Sequence, residues 1–97
     1  MSGFRLSPLA ATDIEEIWEY IAAENPTAAT RVRLALLEAL RLLSRTPGIG
    51  HRREDLTEHD VKFWPVFSYL IVYSPDTQPL EIVRVLHGAR DIGPILG

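Results

Sequence analysis

The chain has 97 residues, no cysteine and a formal net charge of −3, with 46% hydrophobic and 24% charged residues. This composition is typical of one globular domain, and it excludes disulfides, thiolate chemistry and a disordered chain. The negative charge argues against a general nucleic-acid binder, because such proteins need many Lys and Arg contacts to phosphate. No apolar run approaches the ~20 residues of a membrane span and no signal-peptide pattern is present, so we expect one cytoplasmic domain, residues 1–97.

The first predicted elements are a short strand and a helix. Residues 4–6 favour a strand, and Ser7 followed by Pro8 is a helix start, because serine caps helices and proline suits the first helical position. Apolar residues then recur with helical spacing, which predicts a helix from about Leu9 to Ala23. The members of this apolar stripe are Ala10, Ile14, Ile17, Trp18 and Ile21.

A second helix follows at once, because Asn25 and Pro26 repeat the same start signal. We expect it to run antiparallel to the first helix and to end at residues 47–50, Pro-Gly-Ile-Gly. Its predicted core stripe contains Ala29, Val32, Leu36, Leu40 and Leu43.

Two leucines of the second helix fall off its core stripe. At 100° per residue, Leu34 and Leu37 lie beside Arg41 and away from the predicted core. One interpretation is an ordinary pair of surface leucines. The other is an apolar patch with a cationic edge that receives a helix of another chain.

Residues 51–60 are polar and show no periodicity, which predicts a loop. Arg52 and Arg53 can bind phosphate, but acidic residues follow them immediately and favour local ion pairs. His51 and His59 lack the i, i+4 spacing of a helical metal site and have no Cys partner. We therefore predict no metal and no cofactor.

From Val61 onwards the pattern favours strands. Residues 61–65 and 68–73 predict a hairpin whose connection is formed by Pro65, Val66 and Phe67, and residues 74–79 predict a turn into a last strand. The first strand extends this three-stranded antiparallel meander. The predicted fold class is α+β with the order β-α-α-β-β-β, a helical hairpin packed on a small antiparallel sheet.

Both faces of the predicted sheet are apolar. Strict alternation puts Ile82, Arg84 and Leu86 on one face of the last strand and Val83 and Val85 on the other. A helical hairpin covers only one face of a small sheet, so we expect another polypeptide to cover the second face. The alternative is a strand that is rich in Val and Ile only because these residues favour strands.

The last strand ends in side chains able to bind an anion or move a proton, namely Arg84, His87 and Arg90. Arg84 is either functional or a half-buried arginine paired with an acid such as Asp13 or Glu16. His87 either transfers a proton or donates a hydrogen bond to a backbone carbonyl.

Four motifs follow one another along the chain: Asp-Ile-Glu-Glu-Ile at 13–17, Pro-Gly-Ile-Gly at 47–50, Tyr-Leu-Ile-Val-Tyr at 69–73 and Val-Arg-Val-Leu-His-Gly-Ala-Arg-Asp at 83–91. In this order they resemble the RelE/ParE toxin superfamily, and most closely its ParE or plasmid-stabilisation branch. The resemblance covers nearly the whole chain. It implies the toxin of a type II toxin-antitoxin pair, a hetero-oligomer in which the C-terminal segment of a small antitoxin folds onto the toxin. It also implies contact with operator DNA only through the antitoxin, and no contact with a membrane.

The branch of the superfamily decides the expected activity. ParE-like members inhibit DNA gyrase without being nucleases, whereas RelE-like members are ribosome-dependent mRNA endonucleases. RNA cleavage by the 2′-OH needs a base, cations at the scissile phosphate and an acid for the leaving oxygen. The residues available for these roles are Lys62, Arg84, His87 and Arg90, of which Arg84 and His87 match positions near the catalytic groups of the nucleases.

The nucleases of the superfamily are strongly basic, and this chain is not. We therefore predict gyrase inhibition, with no firmly assigned catalytic residue. The alternatives are a RelE-like endonuclease and a non-toxic module that only binds its antitoxin. The predicted partner-binding residues are Leu34, Leu37, Arg41, Arg84, His87 and Arg90.

Overall fold

The computed structural model describes residues 3–88. The elements, in chain order, are β1 (Phe4–Leu6), α1 (Pro8–Ala22), α2 (Pro26–Arg45), a short 3₁₀ helix (Pro47–Ile49), β2 (Lys62–Val66), β3 (Tyr69–Ser74) and β4 (Leu80–His87). This order confirms the predicted α+β fold. Neither helix in this part of the chain is both long and apolar enough to span a bilayer.

Both helices begin at the predicted capping residues. The Ser7 hydroxyl accepts a hydrogen bond from the Ala10 N–H at 3.0 Å, and the Asn25 amide oxygen accepts one from the Ala28 N–H at 3.0 Å. Each cap satisfies a backbone donor that has no partner within its helix, and a proline follows each cap. The helix starts therefore follow from interactions that span three residues.

The two helices pack on one face of the sheet and bury the main core against it. Ala10 of α1 is fully buried, while Ile14 and Ile17 pack against the core from half-buried positions. The buried residues of α2 are Ala29, Leu36, Ala39, Leu40 and Leu43. The predicted α2 stripe is thus confirmed, except that Val32 is half-buried and Ala39 takes a buried place. The α1 stripe is confirmed for Ala10, Ile14 and Ile17, whereas Trp18 and Ile21 are half-buried and do not belong to the main core cluster.

The four strands form a mixed sheet in the order β1-β4-β3-β2. The pairs β2–β3 and β3–β4 are antiparallel, as the meander predicted, and β1 is parallel to β4. A parallel pair needs a long crossover between its strands, which the helical hairpin and the β2–β3 hairpin provide together. The sheet is therefore antiparallel at three strands and parallel at β1.

The predicted connection of the β2–β3 hairpin, residues 65–67, was wrong, because the observed turn is formed by residues 67–68. Pro65 lies inside β2, opposite Leu70, and not in the turn. Proline is tolerated there because β2 is an edge strand and one side of it makes no ladder hydrogen bonds. The turn consists of Phe67 and Ser68, and Phe67 has a positive φ of 54°.

A β-bulge in β4 changes which residues share a face. Arg84 and Ile82 oppose adjacent residues of β3, so Val83 is the extra residue between them. As a result Ile82 and Val85 both belong to the helix-facing cluster, and Leu86 belongs to the cluster on the opposite face. The predicted sharing of a face by Ile82 and Leu86 was wrong, because one inserted residue shifts the alternation by one.

The second face of the sheet has its own small core. Phe63, Val72 and Leu86 are buried there, and Leu56 of the loop 51–60 packs against them. These side chains are thus buried within the chain itself, with Leu56 of the irregular connection packed against them, on a face that we expected another polypeptide to cover. That expectation took only helices into account as cover, and it holds at most for the half-buried Leu70 and Val83.

Tyr73 ties the sheet to the end of α2. Its buried hydroxyl donates to the Pro47 carbonyl oxygen at 2.7 Å and accepts from the Gly50 N–H at 2.9 Å. A Cβ at position 50 would overlap this hydroxyl, so the glycine is required by the close approach. Burial raises the pKa of Tyr73, and the hydrogen bond from Gly50 partly opposes that change.

Helix α1 seals the edge of β4 that β1 leaves open. β1 pairs only with residues 80–82 of the eight-residue β4. Beyond that point the Ser7 hydroxyl donates to the Val83 carbonyl oxygen at 2.7 Å, and the Asp13 carboxylate accepts from the Val85 N–H at 3.0 Å. Side chains of the cap and first turns of α1 therefore continue the pairing that β1 begins as far as Val85.

Replacing Tyr73 with Phe tests the first of these contacts. Without the hydroxyl, the Gly50 N–H and the Pro47 carbonyl lose a buried partner, so we expect the free energy of unfolding to fall by about 1–3 kcal/mol in urea denaturation. Since burial raises the folded pKa of Tyr73, its contribution is complete below the unfolded pKa and is lost as pH rises through the folded pKa. The stability difference between wild type and variant should shrink above about pH 10. A difference independent of pH would contradict this account.

Replacing Asp13 with Ala tests the edge seal. The change leaves the Val85 N–H and the Arg84 guanidinium without their acceptor, so we expect unfolding to become easier by about 2–3 kcal/mol. Asp55→Ala is the matched control, because Asp55 makes the same two-bond contact with Arg53, at 3.0 and 2.8 Å, on the surface. Its urea midpoint should stay close to that of wild type. Equal midpoints for the two variants would refute the structural role of Asp13.

Candidate functional site

The polar end of β4 lies beside the β2–β3 turn. His87 opposes Tyr69, and the two rings meet edge to face with their centroids 5.4 Å apart. The Gly88 N–H donates to the Ser68 carbonyl oxygen at 2.7 Å. These contacts fix the end of β4 against the turn and hold the half-buried His87 in an aromatic environment.

Arg84 makes a two-bond ion pair with Asp13. Its Nε donates to Oδ2 at 2.7 Å and its Nη2 donates to Oδ1 at 2.8 Å, and the side chains of Arg84 and Asp13 are 20% and 11% exposed. The hydrogen bond to Asp13 raises the pKa of Arg84, so the guanidinium stays charged while its charge is compensated. The sequence left open a functional arginine or one paired with Asp13 or Glu16. The structure pairs it with Asp13.

Lys62 lies at the other end of the sheet from His87. It opposes Tyr73, whereas His87 lies in the row of Val66, four residues further along β2 and about 13 Å away at the rise of a strand. The Lys62 ammonium donates to the Gly48 carbonyl oxygen at 3.0 Å. The structure therefore does not bring Lys62 and His87 together, and Arg90 lies outside the described residues.

Both arginines of the loop 51–60 pair with acids of the same loop. Arg53 pairs with Asp55, and Arg52 donates to Asp60 at 2.5 Å. Hydrogen bonds to these acids raise the pKa of both arginines. The predicted local ion pairing is confirmed. Within residues 3–88, no group of three or more His, Asp or Glu side chains is placed to hold a metal ion.

Of the off-stripe residues of α2, Leu34 and Arg41 are exposed as predicted, whereas Leu37 is not. Leu34 is 56% exposed, Arg41 is exposed and Leu37 is half-buried. Their spacing puts the three on one side of the helix, so they form a surface that we call the α2 patch. The role of the α2 patch as a binding surface stays a prediction.

Sequence reasoning missed Phe67. This residue occupies the first position of the two-residue β2–β3 turn, is 66% exposed and has φ of 54°. Turns of this length favour Asn, Asp or Gly, whose backbones accept positive φ at little cost. A phenylalanine between two strand patterns at the place of a turn residue was the available signal. The sequence pattern alone places Phe67 in the connection between the strands and indicates no further role for it.

Comparisons with known proteins give one family-model match and a shared fold. Residues 4–92 match the family model described as the ParE toxin of the type II toxin-antitoxin system parDE. Among solved structures, a chain of the "Chromosomal ParDE TA system from P. aeruginosa" superposes with a TM-score of 0.73 at 16% identity, over 90% of this chain and 96% of that chain. At this identity the superposition shows a shared fold. No curated protein matches the sequence.

The family model spans the chain from β1 to beyond β4 and therefore includes both helices, the sealed edge of β4 and the residues around His87. The shared fold agrees with the observed element order. The chain belongs to the ParE toxin family of type II toxin-antitoxin systems.

Proposed function

We propose that this chain inhibits DNA gyrase and that a cognate antitoxin neutralises it by folding a C-terminal segment onto its surface. Membership of the ParE toxin family supports a toxin, and the similar solved chain comes from a ParDE system. The proposal includes a cytoplasmic location, a hetero-oligomeric resting state and contact with operator DNA only through the antitoxin.

The main structural support for gyrase inhibition, as opposed to RNA cleavage, is the ion pair between Arg84 and Asp13. A ribonuclease site needs uncompensated cations at the scissile phosphate and a proton-transferring group within hydrogen-bond reach of the reacting atoms. Here the charge of Arg84 is compensated by a carboxylate at 2.7 Å, and Lys62 lies about four strand residues from the row of His87. This arrangement favours action through protein contact.

The net charge of −3 supports the same choice. A protein that docks on ribosomal RNA gains affinity from many Lys and Arg contacts to phosphate, and that affinity falls when the protein is acidic overall. The two loop arginines that stand out in the sequence are paired with Asp55 and Asp60. Their charges are therefore partly compensated before any phosphate approaches.

The α2 patch is the surface that we propose for the antitoxin. It combines the exposed Leu34 and the half-buried Leu37 with the cation of Arg41 at its edge. An amphipathic helix with apolar residues along one stripe and an acidic residue beside them is complementary to this surface. Arg84, His87 and Arg90 remain proposed partner-binding residues, with Arg84 held in place by Asp13.

Purified protein should block the supercoiling of relaxed plasmid by gyrase and should leave ribosome-bound transcripts intact. The control is the same protein incubated with the antitoxin encoded beside it, which should restore supercoiling. Transcript cleavage with gyrase unaffected would favour the RelE-like endonuclease. Unimpaired growth on expression without the antitoxin would favour the non-toxic binding module.

Replacing Leu34 with Lys should weaken antitoxin binding about tenfold or more, because it puts a charge at the centre of an apolar contact. Leu9→Lys is the matched control, since Leu9 on α1 is 59% exposed and Leu34 is 56% exposed. Isothermal titration of both variants with the antitoxin checks the difference, and Leu34→Lys should still arrest growth when expressed alone. Equal affinities for the two variants would remove the α2 patch from the proposal.

A further inference from the structure

Phe67 has a conformational cost that burial of its ring does not offset within the part of the chain that the structure describes. Its φ of 54° lies in the left-handed region, where a residue with a large side chain is about 1 kcal/mol less stable than Gly or Asn. Its ring is 66% exposed, so it gains little from burial in the chain. Strained positions of this kind concentrate where a side chain serves a function.

The turn that carries Phe67 is firmly held. Val66 and Tyr69 pair directly on either side of it, and the Ser68 carbonyl accepts from the Gly88 N–H at 2.7 Å. The ring of Tyr69 packs against His87. Phe67 is thus presented on a convex tip whose backbone is already ordered, which lowers the entropy lost on binding.

The tip has no formal charge. Residues 63–75 contain no Asp, Glu, Lys or Arg, in a chain in which 24% of residues are charged. A turn segment without cations offers phosphate no ion pair of its own, so this segment does not favour nucleic acid. The centres of protein interfaces, in contrast, are depleted in charge and enriched in aromatic residues.

We infer that Phe67 is an anchor that inserts its ring into an apolar pocket of the folded protein that this toxin inhibits. A convex tip needs a preformed pocket, whereas an extended peptide binds a strand edge or a groove. The inference rests on the proposed function for the identity of the target, gyrase. It assigns target recognition to the β2–β3 turn, separate from the α2 patch.

Phe67→Asn provides the test, because asparagine accepts positive φ while the ring is removed. The melting temperature of this variant should equal or exceed that of wild type, and its inhibition of gyrase supercoiling should weaken about 30-fold or more, as expected for an interface anchor. Phe67→Trp keeps an aromatic ring at the same turn and should still inhibit. Tyr20→Ala is the control, since Tyr20 is an aromatic residue on α1 that is 75% exposed, and it should inhibit as wild type does.

Growth arrest on expression without the antitoxin is measured in parallel and separates the two claims. Wild type that arrests growth but leaves gyrase unaffected overturns the proposed function, and loss of arrest by Phe67→Asn then still supports the anchor. Phe67→Asn that inhibits or arrests as strongly as wild type overturns the anchor. Phe67→Asn that fully inhibits gyrase but no longer binds the antitoxin also overturns the anchor, since Phe67 then contacts the antitoxin. Wild type without any toxicity overturns both.

Discussion

The Asp13 carboxylate is the contact on which the arrangement of helices and sheet depends. It accepts from two guanidinium nitrogens of Arg84 and from the Val85 N–H, so one side chain of α1 satisfies three donors of β4. The need arises because β1 is three residues long and leaves most of the outer edge of β4 without a neighbour. A buried strand with unpaired backbone groups is unstable, and an open edge invites pairing with other chains. The first turns of α1 remove both problems.

This solution also determines what Arg84 can do. An arginine near the end of a central strand has the chemistry for holding a phosphate, and in isolation its sequence context does not distinguish that role from a structural one. Once its charge is compensated by Asp13, the residue fixes α1 to the sheet. A catalytic role for Arg84 is therefore disfavoured, and the surfaces proposed for partners also include exposed side chains that the core does not use.

The exposed apolar residues are spread over separate parts of the fold. Leu34 lies on α2, and Phe67 lies on the turn that joins β2 to β3. The loop 51–60 lies on neither of these surfaces, since Leu56 packs on the second face of the sheet and the arginines pair with nearby acids. The two surfaces that we propose, one for the antitoxin and one for the target, differ in physical character: the first is a helix-binding patch and the second is the tip of a firmly held turn.

The sequence by itself determined the features that depend on near neighbours. The starts of α1 and α2 follow from Ser7 and Asn25, whose caps reach three residues ahead, and the apolar stripes follow from helical periodicity. The order of the predicted elements indicated the fold class, and the motifs along the chain indicated the family. Only the tertiary structure decided the partner of Arg84, the face of each residue after the bulge at Val83, the cover of the second sheet face and the strained turn at Phe67. Asp13 and Arg84 are 71 positions apart, and such contacts depend on how whole elements pack, which no local pattern records.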